Sequence, residues 1–299
     1  MNDTDLRATG RRQPAPSVDP RRAARAADGA ARQLVALLRR ELNPDLTAVG
    51  RWTIRDVAAH VAGGAELYAK LVSGSPSPAP TIEAITALND QIIGTLSEQD
   101  LPTLAGRVEA ATAGLLSAAE RHQGDPDLPW HAGLRLPLST LLAVACGEYL
   151  VHGHDIARAA SVPWPVPAGW ARTVFLGVLP VVPHYLEAQR AEGRRARYDI
   201  RLRGEPGARA IFTIADSALA IEAPAAGQHP DCYLSADPWA FLLVLYSRSG
   251  PVKPALTGQI LAWGRRPWYT PQPGAASSSG QAASSPRRIG HDTGGAWRR

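Results

Sequence analysis

Hydrophobic residues recur at the spacing of an amphipathic helix through most of the chain between residues 20 and 192. Clusters of Gly, Pro and Ser separate the periodic stretches, as is typical where one helix ends and the next begins. In the second stretch, Thr53 and Asp56 have the spacing of an N-terminal capping box. The pattern predicts an all-helical domain at 20–192, with helices near 20–42, 51–74, 81–99, 101–123, 138–160 and 170–191.

The pattern then changes to the alternation of apolar and polar residues that is typical of strands. This alternation is seen in "RYDIRLRG", "ARAIFTIA", "SALAIEAP" and "DCYLSA", and "LTGQILAWG" closes the segment as a further strand. Asp237 and Pro238 mark the start of a helix through "PWAFLLVLYSR". We therefore expect a small α+β domain with an antiparallel sheet at 196–270, so the fold class is α followed by α+β.

Composition limits the classes of protein that this chain can represent. Segments 1–19 and 271–299 are rich in Pro, Gly, Ser and Arg, which predicts disordered tails. The net charge is +5, with arginines clustered near the termini in "GRRQPAPSVDPRRAAR" and "SSPRRIGHDTGGAWRR", and no basic face interleaved with aromatic residues suggests a nucleic-acid partner. The sequence shows no long apolar run and no secretory signal, so we expect no membrane span and a cytoplasmic protein. Cys146 and Cys232 are predicted to be small buried residues without a disulfide.

The stretch "GEYLVHGHDI" carries the first candidate chemistry. Glu148, His152 and Asp155 lie at i, i+4 and i+7, so they share one face of a helix. The surrounding helix is apolar nearly all round, which indicates burial. Two interpretations follow: a hydrogen-bonded Glu–His pair inside a helical core, or a metal site that is completed by a ligand from another helix.

His60 is the best candidate for that further ligand. It lies in the middle of the second predicted helix among apolar residues, where a lone histidine is more often a hydrogen-bonded core residue. The metal interpretation gains weight because Glu148 and His152 offer matching ligands on another helix. Asp155 is placed to accept a hydrogen bond from His152 and so to orient its ring. His154 points away from this face and is left out.

Two motifs resemble the mycothiol-dependent maleylpyruvate isomerase family. "WTIRDVAAH" resembles the family signature Trp-x-x-x-Asp-x-x-x-His, and "GEYLVHGHDIARA" resembles its second signature, Glu-x-x-x-His-Gly-Trp-Asp. The resemblance implies a DinB-like up-down helical bundle that binds a divalent metal, in most cases zinc, through His60, Glu148 and His152. The segment from "CYLSADPW" to "LAWG" is similar to the sterol-carrier-protein-like domain attached in such proteins. His154 replaces the family's Trp, which changes the expected substrate pocket.

The resemblance also implies a chemistry. In the family, the small thiol mycothiol binds the metal as a thiolate and adds to the cis double bond of maleylpyruvate. Rotation and elimination then give the trans isomer, and transfer of the thiol to another electrophile would use the same site. Arg248 and Arg265 are candidates to bind substrate carboxylates; the alternative is that both are solvated surface residues. A non-catalytic metal- and lipid-binding protein is the second hypothesis, and a metal-dependent regulator is the third. The partners are thus a thiol and an electrophile, with the oligomeric state left open.

Overall fold

The computed structural model describes residues 13–185, 195–204, 208–215 and 218–265. Its first part is helical and its second part contains a sheet, which confirms the predicted order of the fold. The helices of the first part are α1 (Pro20–Leu38), α2 (Ile54–Val72), α3 (Ala84–Leu96), α4 (Leu101–Glu120), α5 (Leu138–Ala159) and α6 (Ala168–Val178).

Capping residues fix where several of these helices begin. At α2 the Thr53 hydroxyl accepts from the Asp56 backbone N–H, while the Asp56 carboxylate accepts from the Thr53 N–H, which is the predicted capping box. Asp100 caps α4 in the simpler way, by accepting from the Thr103 N–H.

The helix predicted at 170–191 ends early. In the structure α6 stops at Val178, and a short 3-10 turn follows at Val182–Tyr185. Pro180 and Pro183 explain the difference, because proline lacks the N–H that a continuing helix needs and its ring clashes with the preceding turn. Residues 186–194 lie outside the described part of the chain.

Helices α1, α2, α4 and α5 form the centre of the helical part. In this arrangement α1 packs on α4 and α5, and α2 packs on the same two helices from the other side. The buried face of α1 consists largely of alanines, including Ala23, Ala27 and Ala30, and such small side chains allow close approach of the neighbouring helices. Helix α3 covers α2, while α6 lies against α5. The arrangement brings the middles of α2 and α5 together.

Two short hairpins interrupt the helical part and were not predicted. One pairs β1 (Thr47–Val49) with β2 (Trp52–Thr53), immediately before α2. The other pairs β3 (Asp127–Pro129) with β4 (Arg135–Pro137), immediately before α5. The second hairpin carries at its tip a 3-10 turn, His131–Gly133, with Ala132 at a positive φ of 57°. This turn fixes the position of a tryptophan and a histidine beside the candidate site.

The second part contains a five-stranded sheet in the order β7-β6-β5-β8-β9. Its strands are β5 (Ala196–Leu202), β6 (Arg209–Ala215), β7 (Ala218–Glu222), β8 (Cys232–Ala236) and β9 (Ile260–Gly264), with helices α7 (Pro238–Leu245) and α8 (Val252–Leu256) between the last two. The prediction of an antiparallel sheet is wrong for one pair of strands. After β7 the chain crosses back to the other side of β5, so β8 runs parallel to β5 and the sheet is mixed.

The predicted N-terminal tail is partly in contact with the fold. Val18 is buried, Asp19 caps α1, and the Pro14 carbonyl accepts from the Ala223 N–H of the second part. Residues 1–12 and the tail at 271–299 lie outside the described residues, and the domain limits at 20–192 and 196–270 stay predictions. Within the described ranges, no helix is long and apolar enough to cross a membrane.

Candidate metal centre

His60, Glu148 and His152 come together where α2 faces α5. His60 Nε2 and His152 Nε2 each lie 3.3 Å from the same carboxylate oxygen, Glu148 Oε2. All three ligand atoms lie within 4.8 Å of one another. The two histidines are buried, and the Glu148 side chain is 11% exposed. The structure thus gathers one carboxylate and two imidazoles around a single point.

These distances suit a metal ion better than direct hydrogen bonds. Charge-assisted N–H···O bonds are about 2.7–2.9 Å long, shorter than the 3.3 Å seen at Glu148. Two ligand atoms that are each about 2.0–2.1 Å from a tetrahedral zinc ion lie about 3.3–3.4 Å apart. His60 Nδ1, on the other side of that ring, is buried without a hydrogen-bond partner among the described residues, so it does not bear on this spacing. The donor set and its spacing therefore fit zinc or a similar divalent metal.

Asp155 lies beneath His152, on the same face of α5. Its Oδ2 atom accepts from His152 Nδ1 at 3.2 Å, which leaves Nε2 of that ring directed at Glu148. Such a carboxylate fixes the tautomer and the orientation of a ligand histidine. Arg248 in turn binds both oxygens of Asp155, at 3.0 and 3.1 Å from its Nε. The second part of the chain thus contributes to the site through the segment after α7.

The protonation states match a metal-binding role for two of the three side chains. Burial lowers the pKa of His60 despite its contact with Glu148, so its ring is neutral at pH 7. Burial alone would raise the pKa of Glu148, but hydrogen bonds from His152 and His60 hold it well below its usual range. His152 differs: burial opposes its charge, yet Asp155 and Glu148 raise its pKa. A raised pKa favours the protonated ring, so protons compete with a metal for His152.

A cavity opens beside the triad. It has a volume of about 60 Å³, and His60 and Glu148 are among the residues that line it. Trp130 and His131 from the second hairpin and Asn89 of α3 also line it. Burial lowers the pKa of His131 to about 4, so this ring is neutral at pH 7. The cavity gives a small molecule access to the carboxylate and one imidazole of the triad.

The remaining residues singled out in the sequence lie outside the triad. Arg248 is buried against Asp155, whereas Arg265 is exposed and follows the edge strand β9. His154 is not among the described residues that line the cavity, and packs against Trp239 of α7 with ring centroids 5.8 Å apart. His154 therefore contributes to the contact between the two parts of the chain. Both cysteines are buried and free.

Sequence reasoning missed Asn89, Trp130 and His131 as residues of the cavity. One signal was available for Asn89. On α3 it shares a face with Ile85 and Ile92 at a spacing of four and three residues, and a polar residue on an apolar face often has a buried partner or ligand.

The fold and the site define a helical protein with a candidate three-ligand metal centre and an appended mixed sheet. Residues 23–157 match the family model of the mycothiol maleylpyruvate isomerase N-terminal domain. The helical part of the chain is thus similar to this family, which confirms the resemblance of the two motifs. The family match covers both motifs, and all three triad residues lie within it.

Solved structures extend the likeness to the second part. The crystal structure of the mycothiol-dependent maleylpyruvate isomerase superposes with a TM-score of 0.52 at 16% identity, and covers 86% of this chain and 96% of that chain. A histidine-to-alanine mutant of that protein matches equally well. At this identity the likeness shows a shared fold. No curated protein sequence matches the chain.

Proposed function

We propose that the protein is a metal- and thiol-dependent enzyme, an isomerase or S-transferase that uses mycothiol as its thiol. The observation that carries this proposal is the convergence of His60 Nε2 and His152 Nε2 on Glu148 Oε2 at 3.3 Å each. The match of the helical part to the family model and the shared fold support it. A divalent metal at this point would deprotonate a bound thiol near neutral pH and so supply a thiolate nucleophile.

The chain's own residues have separate tasks in this proposal. His60, Glu148 and His152 hold the metal, and Asp155 fixes the ring of His152. Arg248 keeps the Asp155 carboxylate in place and neutralises its charge. The apolar surroundings of the cavity exclude water, which strengthens the electrostatic interactions within it.

The non-catalytic lipid-binding alternative was based on the apolar run at the start of α7. In the structure Leu242 and Leu245 of this helix are buried. Phe241 packs edge-to-face against Phe175 of α6, with ring centroids 5.6 Å apart. Much of the apolar run is thus used to join the two parts of the chain.

Metal analysis tests the proposal directly. We expect the purified wild type to hold a stoichiometric divalent metal and to bind mycothiol in calorimetry. His60→Ala and His152→Ala should lose both properties, whereas His229→Ala, at an exposed histidine of the second part, should retain them. Equal metal content in all four proteins would refute the assignment of the ligands. Retained metal without affinity for the thiol would refute the thiol-dependent chemistry and leave the metal centre.

A further inference from the structure

Two residues that line the cavity beside the triad each carry a polar atom that no described residue satisfies. Trp130 Nε1 and Asn89 Nδ2 are buried without a hydrogen-bond partner within the described ranges. The two residues are only 4% and 6% exposed, and both line the cavity. An unpaired buried donor costs about 1–3 kcal/mol. An indole N–H can only donate, so the arrangement calls for a ligand with an acceptor atom.

Most of the remaining cavity wall is apolar. Tyr68 stacks on Trp130, with ring centroids 5.7 Å apart and planes inclined by 13°. The aliphatic wall includes Leu67, Leu88, Ile92, Val144, Val178 and Leu245. Among the described lining residues there is no lysine and no arginine. The wall therefore favours a ligand with a large apolar surface.

A dicarboxylate would be poorly accommodated here. The basic side chains among the described lining residues are His60, which belongs to the triad, and His131, whose pKa burial lowers to about 4 so that its ring is uncharged at pH 7. The Arg248 guanidinium is already held by Asp155. A buried carboxylate without a cation is costly, so the second carboxylate of a dianion would have no partner in this wall.

We infer that the electrophile of this enzyme is a neutral, largely apolar α,β-unsaturated carbonyl compound whose carbonyl oxygen accepts hydrogen bonds from Trp130 and Asn89. The inference rests on the proposed thiol chemistry and narrows its substrate class. It departs from the dicarboxylate that the family name implies.

The chemistry balances as the addition of a thiol S–H across the C=C bond. The sulfur forms a bond to the β-carbon, and the π electrons of the double bond move onto the carbonyl oxygen. The proton lost by the thiol ends on the α-carbon, which gives a neutral thioether. The two donors would contact the oxygen on which negative charge develops, where such contacts are most effective.

Binding of a matched set of probes tests the substrate class. The full-length protein, with its metal content measured and no thiol added, is titrated in a calorimeter with 4-phenylbut-3-en-2-one, with butylbenzene, and with maleate. We expect the enone to bind more tightly than butylbenzene, and maleate not to bind. Trp130→Phe and Asn89→Leu should each weaken the enone by roughly fivefold to tenfold, the effect of one hydrogen bond, and leave butylbenzene unchanged. Trp263→Phe, at a half-exposed position on β9, is the matched control.

The melting temperature of each variant distinguishes a loss of binding from a loss of the fold. Both variants remove an unpaired buried donor, so the melting temperature of the ligand-free protein should hold or rise. Tighter binding of maleate than of the enone, or equal enone affinity in wild type, Trp130→Phe and Asn89→Leu, would overturn the inference while leaving the metal and thiol results intact. Enone binding by a protein that takes up neither metal nor mycothiol would refute the proposed function, and with it the status of the enone as a substrate.

Discussion

Arg248 holds Asp155 with three contacts, two from Nε at 3.0 and 3.1 Å and one from Nη2 at 2.9 Å. The side chains are 5% and 1% exposed, so the pair is screened from water. Asp155 Oδ2 also accepts from His152, which places the guanidinium three contacts away from Glu148. The sheet-bearing part is therefore connected to the candidate metal centre by a buried charge network and not by packing alone.

Removing one member of the buried Asp155–Arg248 pair should destabilise the fold. Arg248→Met leaves the Asp155 carboxylate buried without its cation, and we expect the free energy of unfolding to fall by about 3–5 kcal/mol. Chemical denaturation measures this loss. The double variant Arg248→Met/Asp155→Asn has no uncompensated charge and should recover part of the loss. A double variant less stable than Arg248→Met would show that the uncompensated charge is not the cause.

The helices and the triad could be predicted from the sequence because the patterns that indicate them are local in the chain. Strong helical periodicity marked α1, α2, α4 and α5, and the spacing of Glu148 and His152 placed them on one face. The partner of Asp155 could not be predicted in this way, because Arg248 lies 93 residues further along the chain. The parallel pairing of β5 with β8 is another long-range choice, since alternation within a strand does not specify its neighbours.

A glycine next to the triad permits a close contact that the sequence did not reveal. A Cβ at Gly153 would lie 2.1 Å from the Trp164 ring, whose Nε1 donates to the Leu150 carbonyl at 3.0 Å. Gly153→Ala should therefore push this ring away. We expect a net loss of about 1–2 kcal/mol in the free energy of unfolding, since overpacking outweighs the better helix propensity of alanine.

Gly114→Ala is the matched control for this substitution. Gly114 lies within α4, where nothing approaches the Cβ position within 4 Å, so alanine should stabilise the protein by about 0.5–1 kcal/mol. Denaturant midpoints of both variants give the comparison. Equal shifts of the two denaturant midpoints in the same direction would show that the contact with Trp164 does not affect stability.

His131 should make stability depend on pH. Its folded pKa of about 4 lies below the ordinary value of 6.5, so the unfolded chain takes up a proton that the folded chain does not. The stability due to this group is complete above pH 6.5 and is lost as the pH falls towards 4, in total roughly 3 kcal/mol at about 1.36 kcal/mol per unit.

Substitution of His131 by a non-titrating residue isolates this effect. Gln can keep a polar contact with Ser77, whose Oγ lies 2.7 Å from His131 Nδ1. Unfolding free energies of wild type and His131→Gln should therefore converge as the pH is lowered from 7 to 4. Parallel pH profiles would show that His131 is not the titrating group.

Metal removal should destabilise the wild type because only the folded chain brings His60, Glu148 and His152 together. For a metal present at about 100 times its dissociation constant, a chelator should lower the free energy of unfolding by about 2.7 kcal/mol. Thermal melts with and without chelator measure this shift. Glu148→Gln keeps the size of the side chain but loses the anionic ligand, so its melting temperature should respond weakly or not at all. A shift of equal size in both proteins would place the stabilising metal elsewhere on the chain.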